Sequence, residues 1–375
     1  MRRETIAARP DWQEKLEKLD FNWHTIDGQP YWAEDRCYSF SSAEIDGLDD
    51  VTAELHDMCK QAVKKVIADE LWDRFGIPKE FAAYIETTWR RPDPEIYGRF
   101  DLLYDGTAAP KLLEYNADTP TALYEAAVVQ WYWLKDVKPK ADQFNSIHEK
   151  LIDAWKGVLK LLPSRGLVHF ASATDLPEDF GTAEYMRDVA NQAGLKTQPI
   201  AIEDIGWNGQ RFTDLSEEPI QALFKLYPWE WLLKDQFASH VMNDTTAFIE
   251  PAWKMILSNK ALLALLWEMF PDHPHLLPAY HTPAKLSGGY VKKPIFGREG
   301  QNVTIVARGA DTATAGPYGA EGFVYQAYQP IQSFDGFYPI IGSWLIAGQP
   351  AGIGIREDSQ PITGNTSRFV PHYFV

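Results

Sequence analysis

IYGRFDLLYDGTAAPKLLEYNADTP, residues 96–120, holds two runs of period-two character separated by Asp105-Gly106 and Pro110. Glycine reaches φ values closed to other residues and proline presets φ, so this spacing predicts a turn between two antiparallel strands. Side chains alternate faces along a strand, which puts Arg99 and Asp101 on one face and Glu114 and Asn116 on one face. Pairing about the middle of the loop sets Asp101 opposite Glu114 and Arg99 opposite Asn116, so that all four point the same way. Two carboxylates and an amide oxygen are hard ligands, suited to Mg²⁺ beside a phosphate rather than to zinc. Arg99 next to them can clamp a phosphoryl group through two hydrogen bonds. The solvated face of an edge hairpin carrying a cross-strand ion pair satisfies the same spacing, and both readings stand at this level.

Outward from the hairpin, YVKKPIFGREGQNV (290–303) ends a β-like run with Lys293 and Pro294 and continues into a turn with Gly297, Arg298, Glu299 and Gly300. Backbone amides of such a turn can cradle a polyphosphate, although the stretch is neither a Walker A loop nor a G-x-G-x-x-G turn. An exposed basic turn is the alternative. In ILSNKALLALLW (256–267) Lys260 opens a helix, where the helix dipole disfavours a cation; that cost points to a ligand or an acidic partner. GSWLIAGQPAGIGIRED (342–358) reads as a second hairpin in which Arg356 follows GIGI, whose glycines permit close backbone approach.

The chain has 375 residues, enough for one enzyme-sized unit of two or three lobes. Its formal charge of −16 argues against a general nucleic-acid or anionic-membrane surface, so any bound anion must sit in a local basic pocket. MRRETIAARPDWQEKLEK has no apolar core for a signal peptide and no apolar run is long enough for a membrane span. The cytosol is the expected compartment. Cys37 and Cys59 form neither a metal motif nor a disulfide framework, and read as packing or surface residues. Aromatic residues are in excess at 13%, including 14 Trp and 17 Tyr.

The first 75 residues read as mainly helical, with Asp49 or Asp50 as the N-cap of DDVTAELHDMCKQAVKKVIADELWDRF and Ile77-Pro78 as its end. TALYEAAVVQWYWLKD and SIHEKLIDAWKGVLKLL read as helices. GLVHFASA from Gly166, TAEYMRDVANQAG and KTQPIAIEDI form a strand–helix–strand unit, followed by a hairpin turning at Asn208-Gly209. From Ser287 onward strands and glycines dominate. With no repeat and no flexible linker, the lobes must be interleaved in an α/β or α+β fold.

In this order, R-F-D (99–101), L-L-E-Y-N-A-D-T-P-T (112–121), S-N-K-A-L-L (258–263), V-K-K-P-I-F-G-R-E-G (291–300) and G-I-G-I-R-E-D (352–358) resemble the synthetase domain of the glutathionylspermidine synthase family, in the form of its stand-alone bacterial acid–amine ligases. The similarity runs from about Arg9 to the C terminus. It implies an ATP-grasp fold with rearranged lobe order over residues 1–375, containing a strand–helix–strand lobe at 164–215 and a nucleotide-binding lid at 258–330. It also implies ATP-driven activation of a carboxylate to an acyl phosphate that an amine then attacks, with small-molecule acid and amine as partners. By the same resemblance, Asp101, Glu114 and Asn116 would hold Mg²⁺ and Arg99 would stabilise the transferring phosphoryl group. Lys260 and Lys293 would contact ATP, Arg298, Glu299 and Gly300 would close over its phosphates, and Gln326 to Gln329 would line the nucleotide hinge. Thr119, Glu230 and Arg356 would face the acid or amine.

Bifunctional members of that family carry an N-terminal cysteine amidase domain; this chain begins too late for one, so hydrolysis of the product is not expected. Where polyamine-using members have an acidic residue, NTSRFVPH (365–372) places Arg368, a cation that would repel spermidine. Two other classes compete. A carbohydrate-active enzyme would use the many Trp and an acid–nucleophile pair drawn from Glu86, Glu114 and Glu230, but leaves the two lysines and GREG unexplained. A nucleotide-binding protein that no longer turns over would act through a partner.

Overall fold

The hairpin of residues 96–120 forms one edge of a five-stranded antiparallel sheet, ordered Lys111–Asn116, Tyr97–Leu103, Tyr338–Ile346, Gln349–Asp358 and Arg368–Val370. In this computed structural model every residue is described except 27, 92, 163–166, 174–176, 308, 309 and 366. Arg99 pairs with Asn116 and Asp101 with Glu114, as the position of the turn predicts. Beyond Asp101 the register slips: Leu102 pairs with Leu112, and Leu113 is the extra residue of a bulge. The start of the hairpin is pinned from behind, where the buried Glu250 carboxylate accepts the Ile96 and Tyr97 amides at 2.9 and 3.1 Å and Lys254 donates to the Tyr97 carbonyl. The second hairpin turns at Ala347 and Gly348, both at positive φ (47° and 73°), the combination required by a two-residue type I′ turn.

Leu167–Ser172, the helix Pro177–Gln192 and Lys196–Ala201 form the expected strand–helix–strand unit. Gly166 and residue 164, read as the start of that strand and of its lobe, lie outside the described residues. The parallel sheet that holds the unit takes in two later strands, in the order Ala247–Ile249, Ala222–Leu226, Leu167–Ser172, Lys196–Ala201, so it extends well past residue 215. A third sheet, antiparallel, is ordered Ala279–Tyr280, Phe323–Ala327, Tyr290–Pro294, Thr304–Ala307 and Ala310–Ala313, with the helix Ala261–Met269 packed against it. The small hairpin at Asn208-Gly209 is present, Gly209 at φ 93°.

The N-terminal region is less helical than expected. Arg2–Thr5 and Arg36–Phe40 pair antiparallel, and the C-terminal strand His372–Phe374 joins them in parallel, tying the two ends of the chain together. The long helix runs Ser42–Ala68 and begins at Ser41, not at Asp49 or Asp50. Ser41 and Glu44 form a capping box, each side chain accepting from the other's backbone amide. The apolar stripe already starts at Ile45 and Leu48, a turn before the expected cap. The helix ends nine residues before Ile77, and a short 3₁₀ turn at Leu71–Phe75 lies in the interval.

Part of the aromatic excess is spent in the core, where Trp32, Trp133, Trp155, Trp229 and Trp344 are fully buried, which weakens the case for a sugar-binding surface. Cys37 and Cys59 are both buried and free. Among the described residues no helix is long and apolar enough to cross a membrane.

The back of the site hairpin is packed to contact. A Cβ built on Gly98 would lie 2.8 Å from the ring of Tyr115, which itself stacks on Phe100 with centroids 4.0 Å apart. Gly98→Ala should therefore lower the urea-unfolding free energy by about 1–3 kcal/mol through overpacking. Unchanged stability would mean that Tyr115 is free to move aside.

Candidate active site

The front of the hairpin carries the four polar groups expected of it. Arg99 donates to both oxygens of Asp101 at 2.6 and 3.1 Å, and to the Thr121 carbonyl at 2.6 Å. The Asn116 amide donates to Asp101 at 3.3 Å and to Glu114 at 3.1 Å, bridging two carboxylates that face each other across the strand pair. This face is the floor of a cavity of about 210 Å³, so the solvated-edge alternative does not hold.

The third sheet roofs that floor. Strand alternation sends Lys293 inward and Lys292 outward, where Lys292 lies 3.8 Å from the ring centre of Phe323. Lys293 donates to the Leu113 carbonyl at 2.9 Å and to Gln326 Oε1 at 2.8 Å, and the Gln326 amide donates to the Leu112 carbonyl at 2.8 Å. The roof thus docks on backbone oxygens beside the bulge. Lys260 sits at the start of the helix Ala261–Met269, donates to the Gly297 carbonyl at 2.5 Å and pairs with Glu114 Oε2 at 3.0 Å. That partner offsets the unfavourable place of a cation at a helix start.

Charge explains the ionisation states. Burial pushes the Glu114 carboxyl up, but the Lys260 and Lys293 ammonium groups outweigh it and hold the group down at about 2. Burial also raises the Asp101 carboxyl, and here the neighbouring Arg99 only partly opposes it. The Lys293 ammonium is lowered to about 8, chiefly by burial, against the pull of Glu114. Two adjacent carboxylates with oxygens toward a cavity are a hard-donor set that fits a small divalent cation. Among the described residues no three His, Cys, Asp or Glu side chains gather as a metal cage, so a cation held here needs oxygens beyond those of the two carboxylates.

The expected phosphate turn lies along one wall. Glu299 and Gly300 adopt positive φ (52° and 68°), and a Cβ on Gly300 would stand 2.4 Å from the Thr363 carbonyl, so this turn closes tightly against the loop around Ile362 and Thr363. Arg298 donates to Thr119 Oγ1 at 2.9 Å and lies 3.7 Å from Glu230 Oε1. Burial raises the Glu230 carboxyl, with Arg298 opposing. Arg356 reaches the cavity from the second hairpin; its Nη2 donates to the Gly364 carbonyl at 2.5 Å, while its buried Nε has no hydrogen-bond partner.

Of the residues singled out from sequence, Arg99, Asp101, Glu114, Asn116, Thr119, Lys260, Lys293, Arg298, Glu299, Gly300, Gln326, Gln329 and Arg356 all line this one cavity. Glu230 stands just behind the lining, against Arg298. Glu86 is elsewhere, paired with Arg90 on the half-buried helix Ala82–Arg90 and away from Glu114 and Glu230, so it forms no acid–nucleophile pair with them. Arg368 is also out of place: it sits opposite Glu357, on the face of the sheet away from Arg356, and does not line the cavity. It therefore does not line the cavity from which its sequence position was expected to repel a cationic amine; residue 366 of the same segment lies outside the described residues. What spacing could not show is the use of backbone: the carbonyls of Leu112, Leu113 and Thr121, and the loop at residues 362–365, shape the site without any motif.

The sequence matches the family model described as glutathionylspermidine synthase preATP-grasp over residues 3–375. It is 46% identical to a Haemophilus influenzae protein provisionally named an acid–amine ligase, over 99% of this chain and 98% of that one. It is 28% identical to trypanothione synthetase of Crithidia fasciculata and 28% identical to the bifunctional glutathionylspermidine synthetase/amidase of Escherichia coli, covering 95% and 93% of this chain but only 57% and 60% of those proteins. Among solved structures, an apo-form glutathione synthetase-like effector of Globodera pallida superposes with a TM-score of 0.60 at 12% identity, over 98% of this chain and 100% of that one, a likeness of fold. The named relatives are ligases and synthetases, and the chain is an enzyme of that class. With a match that leaves out only its first two residues, the chain belongs to the glutathionylspermidine synthase preATP-grasp family.

Proposed function

We propose that this enzyme joins a small carboxylic acid to an amine, using ATP to form an acyl phosphate and releasing ADP and phosphate, on an ATP-grasp arrangement whose lobes follow one another in rearranged order. The observation that carries the reading is the concentration of Arg99, Lys260, Lys293, Arg298 and Arg356 around Asp101 and Glu114 in one cavity of a protein with net charge −16. A polyanion accompanied by a divalent cation complements that arrangement; a neutral substrate does not.

Phosphoryl transfer asks little covalent help from a protein, and positioning with electrostatic stabilisation supplies most of the rate. In this reading Lys293 and Lys260 neutralise phosphate oxygens, and Arg99, hydrogen-bonded to Asp101, meets charge developing on the transferring group. Asp101 and Glu114 are the residues that would hold Mg²⁺, with Asn116 joining by turning its amide oxygen inward; when bound, the ion shields phosphate charge and aligns it for in-line transfer. Segment 258–330 serves as the lid, and its 297–300 turn keeps water from an acyl phosphate that would otherwise hydrolyse. Arg356 and Thr119 face the acid and amine side, where the unused Nε of Arg356 offers a donor to a carboxylate. Two relatives are named for glutathionylspermidine and trypanothione synthesis; with Arg368 turned away from the cavity, a cationic amine is compatible with this site.

Lys293→Ala and Asp101→Ala should each lower ATP turnover by about 10²–10³-fold, the loss typical of removing one group that acts on transition-state charge. Wild-type turnover in either folded variant would remove that residue from the mechanism. Because the Lys293 ammonium loses its proton near pH 8 in the free enzyme, ATP affinity should be highest below pH 8 and weaken as pH rises through it. Lys293→Arg should flatten that decline, and an equally steep decline in the variant would assign it to another group. Acid labelled with ¹⁸O in its carboxylate should deliver one ¹⁸O to the phosphate released; unlabelled phosphate would exclude the acyl phosphate.

A further inference from the structure

Asp118 and Lys225 form a fully buried ion pair that none of the groups discussed so far requires. Asp118 lies two residues beyond Asn116 and is 2% exposed; Lys225, in the parallel-sheet strand Ala222–Leu226, is 0% exposed. Lys225 Nζ donates to Asp118 Oδ1 at 2.7 Å and to the Tyr227 carbonyl at 2.9 Å, and lies 4.5 Å from the ring centre of Trp229. The other carboxylate oxygen, Oδ2, accepts from the Trp229 amide at 2.8 Å. Trp229 begins the short helix Trp229–Leu232, whose preceding residue, Pro228, has no side chain able to satisfy a free amide. A residue from the end of the site hairpin supplies that acceptor from 111 positions away in sequence.

The consequence is geometric. Thr119 adjoins Asp118, and Glu230 adjoins Trp229. Arg298 stands between them, 2.9 Å from Thr119 Oγ1 and 3.7 Å from Glu230 Oε1. Both partners of Arg298 are thus hung from the same carboxylate, one through the chain and one through a hydrogen bond. A buried ion pair is a poor device for stability alone, since apolar groups of the same volume do as well or better, but its directional bonds fix a relative position.

We propose that Asp118 and Lys225 are positioning residues that set the spacing between the phosphate side and the acid–amine side of the cavity, and so keep phosphoryl transfer coupled to amide formation. The proposal rests on the ligase reading above. Neither residue lines the cavity, and neither is given a contact with substrate.

Replacing one partner alone would strand a buried charge and risk unfolding, so the test is the neutral pair Asp118→Asn with Lys225→Met. Three quantities are measured on wild type and double variant together: the Kd of Mg²⁺·AMP-PNP, the kcat/KM of amide formation, and the number of ADP released per amide. The expected result is nucleotide affinity within about twofold of wild type, kcat/KM for amide formation down by about 100-fold, and more than one ADP per amide, because a small misplacement far from the reacting atoms costs that much. A merely structural pair would lower the melting temperature and leave the ADP-to-amide ratio at one, and that result overturns the proposal. If wild type itself joins no acid–amine pair, the ligase reading is overturned and this proposal falls with it.

Discussion

Two carboxylates held face to face, Asp101 and Glu114, are the constraint on which the rest of the site depends. Side by side and half-buried, they repel each other, and loss of solvent drives both toward the neutral form. The fold keeps Glu114 ionised by bringing Lys260 and Lys293 against it from two elements far away in sequence, and it aligns Asp101 through Arg99 on the same strand. The acidic pair thus recruits the cations, and the cations in turn leave the cavity able to take a polyanion. A divalent ion arriving with that polyanion would take over part of the shielding that the lysines supply in the free enzyme.

The bulge at Leu113 gives this arrangement its second function. In an unshifted edge strand only every second carbonyl points away from the ladder. The extra residue accompanies the two backbone oxygens, at Leu112 and Leu113, that Lys293 and Gln326 use to seat the third sheet over the floor. The same lysine that faces the cavity therefore also holds the roof in place. Occupation of the cavity and closure of the roof draw on one ammonium group, so a ligand competing for Lys293 also acts on the contact between the two sheets.

The floor of the site was legible in the sequence because a hairpin's register follows from its turn, and pairing about that turn puts Arg99, Asp101, Glu114 and Asn116 on one face. Lys293 and the 297–300 turn were legible for a similar reason, a strand end followed by glycines. Readings that depended on distant pairing fared worse. Arg368 was misjudged because its face is set by its partner Glu357 in another strand, and the start of the long helix was missed because the capping box precedes the most regular part of the apolar pattern. Asp118 falls within the L-L-E-Y-N-A-D-T-P-T run, but its pairing with Lys225 left no trace, since an ion pair formed across 107 residues leaves no spacing to read.

Nucleotide consumption in this cavity, on the proposed reading, serves amide formation. The most direct measurement is Mg²⁺-dependent ADP release by the purified enzyme across a panel of carboxylates and amines, glutathione and spermidine included, with the amide product identified by mass. One acid–amine pair should accelerate ADP release and yield its amide in equal amount. Tight ATP binding with no acid–amine pair able to accelerate ADP release would contradict that reading.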